Sequence, residues 1–262
     1  MHTIRDAMKS MLMSLDWMDD SSKQNALKKA DGIVLNPAFP DFILDNSALD
    51  AEYTGLTLNE SMLYHDIVSA ITSFNVRKTF SILSAPTANR HDFLGQTAVV
   101  DAWWMSDASQ NGFNTMAKCV IDQYGQFCPL PSSFAPNCTD GVRTQGENIA
   151  DNGGIHSAWR AYQSTIELKG PDPAFSDRIF SQYTENQLYF LNFAQIWCIS
   201  KKAYTPDFIY NKIMTDPHSL GPFRVQGTFS NMPAFKTTFN CRANQTYAPL
   251  THCSVWVPSN FS

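Results

Sequence analysis

The fold is decided by one stretch of sequence, Gly146-Glu147-Asn148-Ile149-Ala150-Asp151-Asn152-Gly153-Gly154, and by the helix that it begins. Residues four apart share a helix face, so Glu147 and Asp151 are predicted to lie one above the other. Ile155 and Tyr162 continue that face, whereas Asn152 is predicted to point the opposite way. Burying an unpaired carboxylate is costly, so this pair needs a metal, an arginine or a histidine as its partner.

A purely structural interpretation of Glu147 is also open. Thr144-Gln145-Gly146-Glu147 has the form of a capping box, in which Thr144 caps the helix and Glu147 bonds back to it. That interpretation leaves Asp151 unexplained. It also leaves the pair Gly153-Gly154 unexplained, because each glycine inside a helix costs roughly 1 kcal/mol. The glycines predict another backbone packed closely against this helix.

The stretch resembles the third-ligand motif of the neprilysin family of zinc metallopeptidases (peptidase family M13), which includes the endothelin-converting enzymes. Further segments resemble family landmarks in family order: Leu15–Asp19, Pro40–Ile43, Cys119–Tyr124, Leu191–Cys198 and Thr215–Ser219. In the family, the glutamate at position 147 is a zinc ligand, and the aspartate at position 151 holds a ligand histidine. The resemblance therefore implies zinc as the cofactor and hydrolysis of peptide bonds in small peptides as the family reaction.

The same resemblance assigns roles outside this helix. The segment around His218 and Arg224 is similar to the one whose histidine stabilises the oxyanion and whose arginine grips the substrate. Ala102 falls in a region, 89–103, that resembles the substrate-binding strand. For the cysteines, the resemblance implies two disulfides, Cys119–Cys253 and Cys128–Cys138. Cys198 and Cys241 resemble cysteines whose partners lie upstream of this sequence, so they are expected to be free or mispaired.

The sequence departs from the family at the catalytic helix. The family's other two zinc ligands and its general base lie on a His-Glu-x-x-His motif, and this sequence has none: no two of its six histidines are spaced i, i+4. The expected segment is missing at the junction Val100–Trp104. Glu147, joined at best by His218, gives two ligands, whereas a catalytic zinc site needs three protein ligands and a water. We expect doubtful zinc binding and no peptidase activity. The alternative is a pseudoprotease that binds peptides, or a full-length family member, without cutting them.

Composition limits the other classes of function. A net charge of −5 and a pI near 5.6, with no block of Lys and Arg, argue against a nucleic-acid surface. No apolar run is long enough for a transmembrane segment and no signal peptide is visible. The family implies an extracellular or plasma-membrane location, and four sequons, at Asn59, Asn137, Asn244 and Asn260, favour a secretory route. The chain looks like a C-terminal fragment or a truncated product.

Hydrophobic periodicity predicts a mainly α protein with little β-sheet, and the resemblance implies a truncated thermolysin-like metallopeptidase catalytic domain. We predict a helical region at 1–103, ending in a strand at Thr97–Trp103, followed by the peptidase-family region at 104–262. Within these regions, 61–83, 105–127, 185–202, 206–214 and 232–239 are predicted as helices, and 128–143 and 217–229 as loops. Because Glu147 and Asp151 would lack their metal, we expect both to be partly exposed in a weakly stable product.

Overall fold

The computed structural model describes residues 2–33, 41–81, 104–173 and 175–259. These residues form ten α-helices with short 3-10 turns between some of them, and among them no β-strand occurs, only an isolated bridge between Gln245 and Ala248. The mainly α class is therefore confirmed. The strand predicted at Thr97–Trp103, and Ala102 within it, lie outside the described residues.

The chain divides into two compact units. The smaller one spans residues 33–92 and contains α3 (Asn46–Glu52) and α4 (Tyr64–Ser81), with a 3-10 turn before them at Asp41–Leu44. Among residues 64–80 of α4 only Phe74 is buried, and it stacks on Tyr53 with ring centroids 6.2 Å apart. Ile71 and Phe80 fit the same hydrophobic period but are exposed, because the described part of this unit packs little against that side of α4.

The larger unit spans residues 2–32 and 93–262. Its helices are α1 (His2–Ser14), α2 (Asp20–Asp31), α5 (Asp107–Tyr124), α6 (Gly141–Lys169), α7 (Glu185–Gln195), α8 (Pro206–Thr215), α9 (Gly221–Ser230) and α10 (Pro233–Thr238). The longest, α6, is the central element, and α1, α5 and α9 all pack against it. The boundary expected between residues 103 and 104 falls at the edge of the described part of this unit and stays a prediction.

The core on the α5 side of α6 follows the sequence pattern closely. Phe113, Met116, Val120 and Tyr124 recur at helical spacing, and all four are buried against Ile149 of α6. The disulfide between Cys119 and Cys253 joins α5 to the C-terminal segment, and Cys128–Cys138 closes the loop after α5. Both pairings were predicted and are confirmed, as are the free thiols of Cys198 and Cys241.

A second core on the other side of α6 is built from aromatic rings. Phe190 is the one fully buried residue of α7, and it meets Phe229 and Phe235 edge to face at centroid distances of 5.5 and 5.2 Å. Edge-to-face pairs add to the stabilisation from burial because the positive ring edge meets the negative face. This cluster fixes α7, α9 and α10 against α6 near Ile155.

The start of α6 differs from the prediction. The helix begins at Gly141, inside the segment predicted as a loop, and Asp140 is its N-cap, accepting a hydrogen bond from the Arg143 backbone N–H at 2.9 Å. The interpretation of Thr144 as the N-cap of a capping box is therefore wrong. Thr144 is buried one turn inside the helix, and its hydroxyl donates to the Asp140 carbonyl. A Cβ on Gly141 would overlap the backbone of Ile121, so a glycine is needed there.

The segment 217–229, predicted as a loop from Gly221-Pro222, contains α9. A proline in the first turn of a helix costs little, because the N–H that it lacks would have no partner inside the helix. The glycine pair in α6 is also explained differently. Gly153 faces the Trp256 indole rather than another backbone, and Gly154 faces open space.

Candidate functional site

The two carboxylates of the quoted stretch lie on one side of α6 but differ in exposure. The side chain of Glu147 is 42% exposed and that of Asp151 is 10% exposed. Asn148 and Asn152 occupy the neighbouring row and are fully buried. The prediction that Asn152 points away from the core is wrong, because α6 is surrounded by α1, α5 and α9 rather than packed on one side only.

Arg224 is the partner of Asp151. Its Nε and Nη2 donate to the two carboxylate oxygens at 2.5 and 2.6 Å, a bidentate geometry that suits the planar guanidinium. The guanidinium also stacks on Trp197, with Cζ 3.9 Å from the ring centroid. Both charged side chains are largely buried. The arginine that the sequence allowed as one of three possible partners is therefore present, and the expected exposure of Asp151 is wrong.

Two opposing effects act on the Asp151 carboxyl. Burial raises its pKa, and the Glu147 charge adds to that rise, whereas the hydrogen bonds and charge of Arg224 oppose it. Because both carboxylate oxygens accept from the guanidinium, we treat Asp151 and Arg224 as an ionised pair at neutral pH. Glu147 is the more available carboxylate of the two.

Glu147 faces a histidine and an arginine. His218 Nε2 lies 3.4 Å and Arg224 Nη2 lies 4.0 Å from its Oε2. The ring of His218 is held by Asp216, whose Oδ1 lies 2.7 Å from Nδ1 and accepts from the His218 backbone N–H at 2.8 Å. Burial acts to raise the pKa of Asp216, but hydrogen bonds from Lys212 and His218 outweigh it and lower the pKa to about 2. An ionised Asp216 can only accept, so Nδ1 carries a proton and Nε2 is directed at Glu147.

The loop that carries His218 is tied to α6 through a buried amide. Ser219 Oγ donates to Asn148 Oδ1 at 2.8 Å, and Asn148 Nδ2 donates to Thr144 Oγ1 at 2.9 Å. Sequence reasoning missed Asn148. The sequence did contain a signal for it: Asn148 and Asn152 each follow a carboxylate, so the two amides are also four residues apart and share a helix face.

A second buried amide ladder holds the other elements around the site. Asn152 Nδ2 donates to the Tyr124 hydroxyl at 3.2 Å, and Asn152 Oδ1 accepts from Asn231 Nδ2 at 2.9 Å. Asn231 exchanges two hydrogen bonds with Gln123 and accepts from the Cys253 backbone N–H. The ladder therefore links α5, α6, the residue after α9 and the C-terminal segment in one satisfied network.

The donor set does not fit a catalytic zinc ion. Within residues 2–33, 41–81, 104–173 and 175–259, no group of three His, Cys, Asp or Glu side chains is placed to hold a metal. Among the described residues Glu147 is joined by one possible further ligand, His218, and is also approached by the Arg224 cation. Two donors are fewer than the three that such a site requires. His91 lies outside the described residues. No helix in the described part of the chain is both long and apolar enough to cross a bilayer.

Comparison with known proteins agrees with these observations. The family model described as "Peptidase family M13" matches residues 87–255. Neprilysin-11 of Caenorhabditis elegans is 29% identical, and the alignment covers 97% of this chain and 36% of Neprilysin-11. Endothelin-converting enzyme 1 of Bos taurus is also 29% identical, and the alignment covers 97% of this chain and 40% of that enzyme. The chain thus spans about two fifths of these relatives. The Neprilysin-11 alignment covers 313 positions, more than the 262 residues of this chain, so it contains positions that have no counterpart here.

Among solved structures, the zinc metalloprotease Zmp1 of Mycobacterium tuberculosis superposes with a TM-score of 0.69 at 21% identity, over 97% of this chain and 46% of Zmp1. At that identity the likeness shows the fold alone, and it agrees with the expected thermolysin-like metallopeptidase class. The family match covers well over half of the sequence and includes the helix of Glu147 and Asp151, α9 and both disulfides. The chain belongs to peptidase family M13.

Proposed function

We propose that this chain is an M13 family member that does not hydrolyse peptides. The observation that carries the proposal is the donor set: Glu147 is accompanied by one histidine and one arginine rather than by two further ligands. The sequence has no His-Glu-x-x-His motif to supply the other ligands and the general base. Losing two ligands and the base removes both the metal-activated water and its proton acceptor.

Hydrolysis should be tested with internally quenched fluorescent peptides and added Zn²⁺, with a full-length M13 peptidase assayed beside it. We expect no turnover above a heat-inactivated sample, and metal analysis after dialysis should give well under one zinc per chain. Turnover that is lost both with a chelator and in Glu147→Gln would refute the proposal. Stoichiometric zinc that is lost in Glu147→Ala would overturn the donor-set argument on which the proposal rests. If His91→Ala also releases that zinc, the missing ligand lies in the segment that the structure does not describe.

A second candidate function, peptide binding without cleavage, is supported by the geometry around Arg224. Its Nε and Nη2 are committed to Asp151, but Nη1 makes no hydrogen bond within the described residues and remains able to bind a peptide carbonyl. His218, 41% exposed and held by Asp216 through Nδ1, presents Nε2 beside it as a further polar contact for a peptide. Peptides, or a full-length family member presenting an extended segment, are the partners that this arrangement suits.

Binding should be measured by calorimetric titration of short peptides in the presence of a chelator, so that metal plays no part. His218→Gln removes the imidazole at a half-exposed position and should weaken binding, whereas His65→Gln alters an exposed histidine of the smaller unit and should not. Equal affinity in all three proteins would exclude this site. The two disulfides favour an oxidising compartment, in agreement with the extracellular or membrane-associated location that the family implies.

A further inference from the structure

A groove of about 630 Å³ lies in the larger unit, between the C-terminal half of α6 and the start of α7. The loop that joins these two helices closes one side of it with Pro171 and Pro173. None of its lining residues belongs to the Glu147–Arg224 site, so its chemistry is independent of the function proposed above.

Aromatic rings form the wall of the groove. Tyr162 of α6 and Tyr189 of α7 stack with centroids 5.2 Å apart and planes 16° apart, and Phe175 and Tyr183 also line the groove. Tyr189 is fixed because its hydroxyl donates to the Ile155 carbonyl at 3.1 Å. Tyr189, and through the stacking contact Tyr162, is therefore positioned before any ligand arrives.

Two carboxylates, those of Asp172 and Glu185, also line the groove. Neither forms an ion pair with a lysine or arginine in the described part of the chain, unlike the buried Asp151, which pairs with Arg224. Tyr162 lines the same groove, and its pKa is raised by burial first and then by the charges of Glu185 and Asp172. The Tyr162 hydroxyl is enclosed and has no hydrogen-bond partner among the described residues.

Part of this arrangement has a simpler explanation. Glu185 lies in the first turn of α7, where an acidic side chain favours the helix by facing its positive end. Asp207 does the same in α8 and does not line this groove. The helix effect does not account for Asp172, which lies outside any helix, or for the stacked rings beside both carboxylates.

We infer that this groove binds an organic cation with an apolar stem, of the ammonium or guanidinium type. Aromatic faces carry negative charge and attract such cations, and the two carboxylates supply the counter-charge. An anion would meet two like charges, and a neutral apolar ligand would strip water from both carboxylates with no compensation. The net charge of −5 favours the approach of a cation. A basic side chain of a peptide and a free quaternary ammonium ion share this chemistry.

The test is a calorimetric titration of the intact chain with matched cationic and neutral probes. Nα-acetyl-lysine amide is compared with Nα-acetyl-norleucine amide, and choline with its neutral isostere 3,3-dimethylbutan-1-ol. We expect saturable binding of at least one cation and no saturable binding of its neutral partner. Which cation binds more tightly identifies the source, a basic peptide side chain or a quaternary ammonium ion.

Variants locate the binding. Glu185→Gln and Asp172→Asn should each weaken cation binding by about fivefold, the size expected for one partly exposed charge. Asp207→Asn is the matched control, because it removes an acidic group from the first turn of another helix, and it should leave the affinity unchanged. Tyr162→Phe keeps the ring and should bind normally, whereas Tyr162→Leu should bind more weakly. Circular dichroism checks that each variant is folded.

Three results would overturn the inference: equal binding of cation and neutral isostere, an effect of Asp207→Asn equal to that of Glu185→Gln, or no saturable binding of either cation. None of these results bears on hydrolysis or on zinc content, so the failure of this inference is distinguishable from the failure of the proposed function.

Discussion

Removing Arg224 should destabilise the protein more than removing its partner Asp151. Both side chains are about nine-tenths buried and share two short hydrogen bonds, and breaking such a pair typically costs about 3–5 kcal/mol. Arg224→Met leaves Asp151 buried without a counter-charge and also takes away the cation 4.0 Å from Glu147. It further loses the stacking on Trp197, which is worth up to about 2 kcal/mol when desolvated. Asp151→Asn leaves Glu147 as a nearby counter-charge for the arginine.

We therefore expect a loss of about 4–5 kcal/mol in the free energy of unfolding for Arg224→Met and about 2–3 kcal/mol for Asp151→Asn. The double variant should lose less than the sum of the two by about 1–3 kcal/mol, because the second change removes the charge that the first left unpaired. The assay is urea unfolding at pH 7, with an unchanged dependence on denaturant as the sign that the same two states are compared.

Lys118→Met is the matched control. Lys118 pairs with Asp122 at 2.6 Å, but both side chains are more than half exposed, so its loss should cost under about 0.5 kcal/mol. If Arg224→Met costs no more than Asp151→Asn, Arg224 does not serve both carboxylates. If both variants lose as little unfolding free energy as Lys118→Met, the Asp151–Arg224 pair is solvated and its hydrogen bonds do not govern stability.

Three further predictions concern other parts of the molecule. Burial and neighbouring positive charges lower the pKa of His156 to about 4, so only the unfolded chain takes up this proton as the pH falls below 6.5. Between pH 7.5 and pH 5 this should remove about 2 kcal/mol of the unfolding free energy, a loss that His156→Gln should avoid in urea titrations at the two pH values. Gly227→Ala should lower the free energy of unfolding by about 1–3 kcal/mol, because the added Cβ would overlap the buried Tyr124 ring. Gly154→Ala should raise the free energy of unfolding by about 0.5–1 kcal/mol, because Gly154 lies in mid-helix and faces open space. If urea unfolding shows effects of the same sign for both variants, the packing around these glycines is wrong. Native protein should react with iodoacetamide at no more than two thiols, first at the exposed Cys198, and at six after unfolding and reduction; mass spectrometry counts them.

The sequence predicts α5 well because its signal is local. Apolar residues at 113, 116, 120 and 124 fit a period of 3.6, and each is buried where that period places it. The start of α6 could not be found in the same way. Asp140 is as good a cap as Thr144, and the choice between them depends on Gly141 fitting against the backbone of Ile121, a contact made only in the folded chain.

The sequence predicts that the carboxylates of the candidate site need a positively charged partner, but it does not predict which residue supplies that charge. A pair of carboxylates on an apolar face demands a positive partner, and the sequence left a metal, an arginine and a histidine as alternatives. Arg224 lies 73 residues from Asp151, and only the packing of α9 against α6 brings its guanidinium to the carboxylate. The role of Asp216 was likewise invisible, because it depends on the turn that brings its carboxylate back to His218.

The spacing of four in Glu147-Asn148 and Asp151-Asn152 serves two purposes on adjacent rows of α6. One row carries the charges, which meet Arg224 and His218. The next row carries the amides, which fix the His218 loop and the C-terminal segment through Ser219 and Asn231. Because the amide row is satisfied entirely by protein groups, the frame that positions the charged residues does not depend on a metal ion. The proposal that this chain binds peptides without hydrolysing them therefore requires no change in the frame that holds Arg224 and His218.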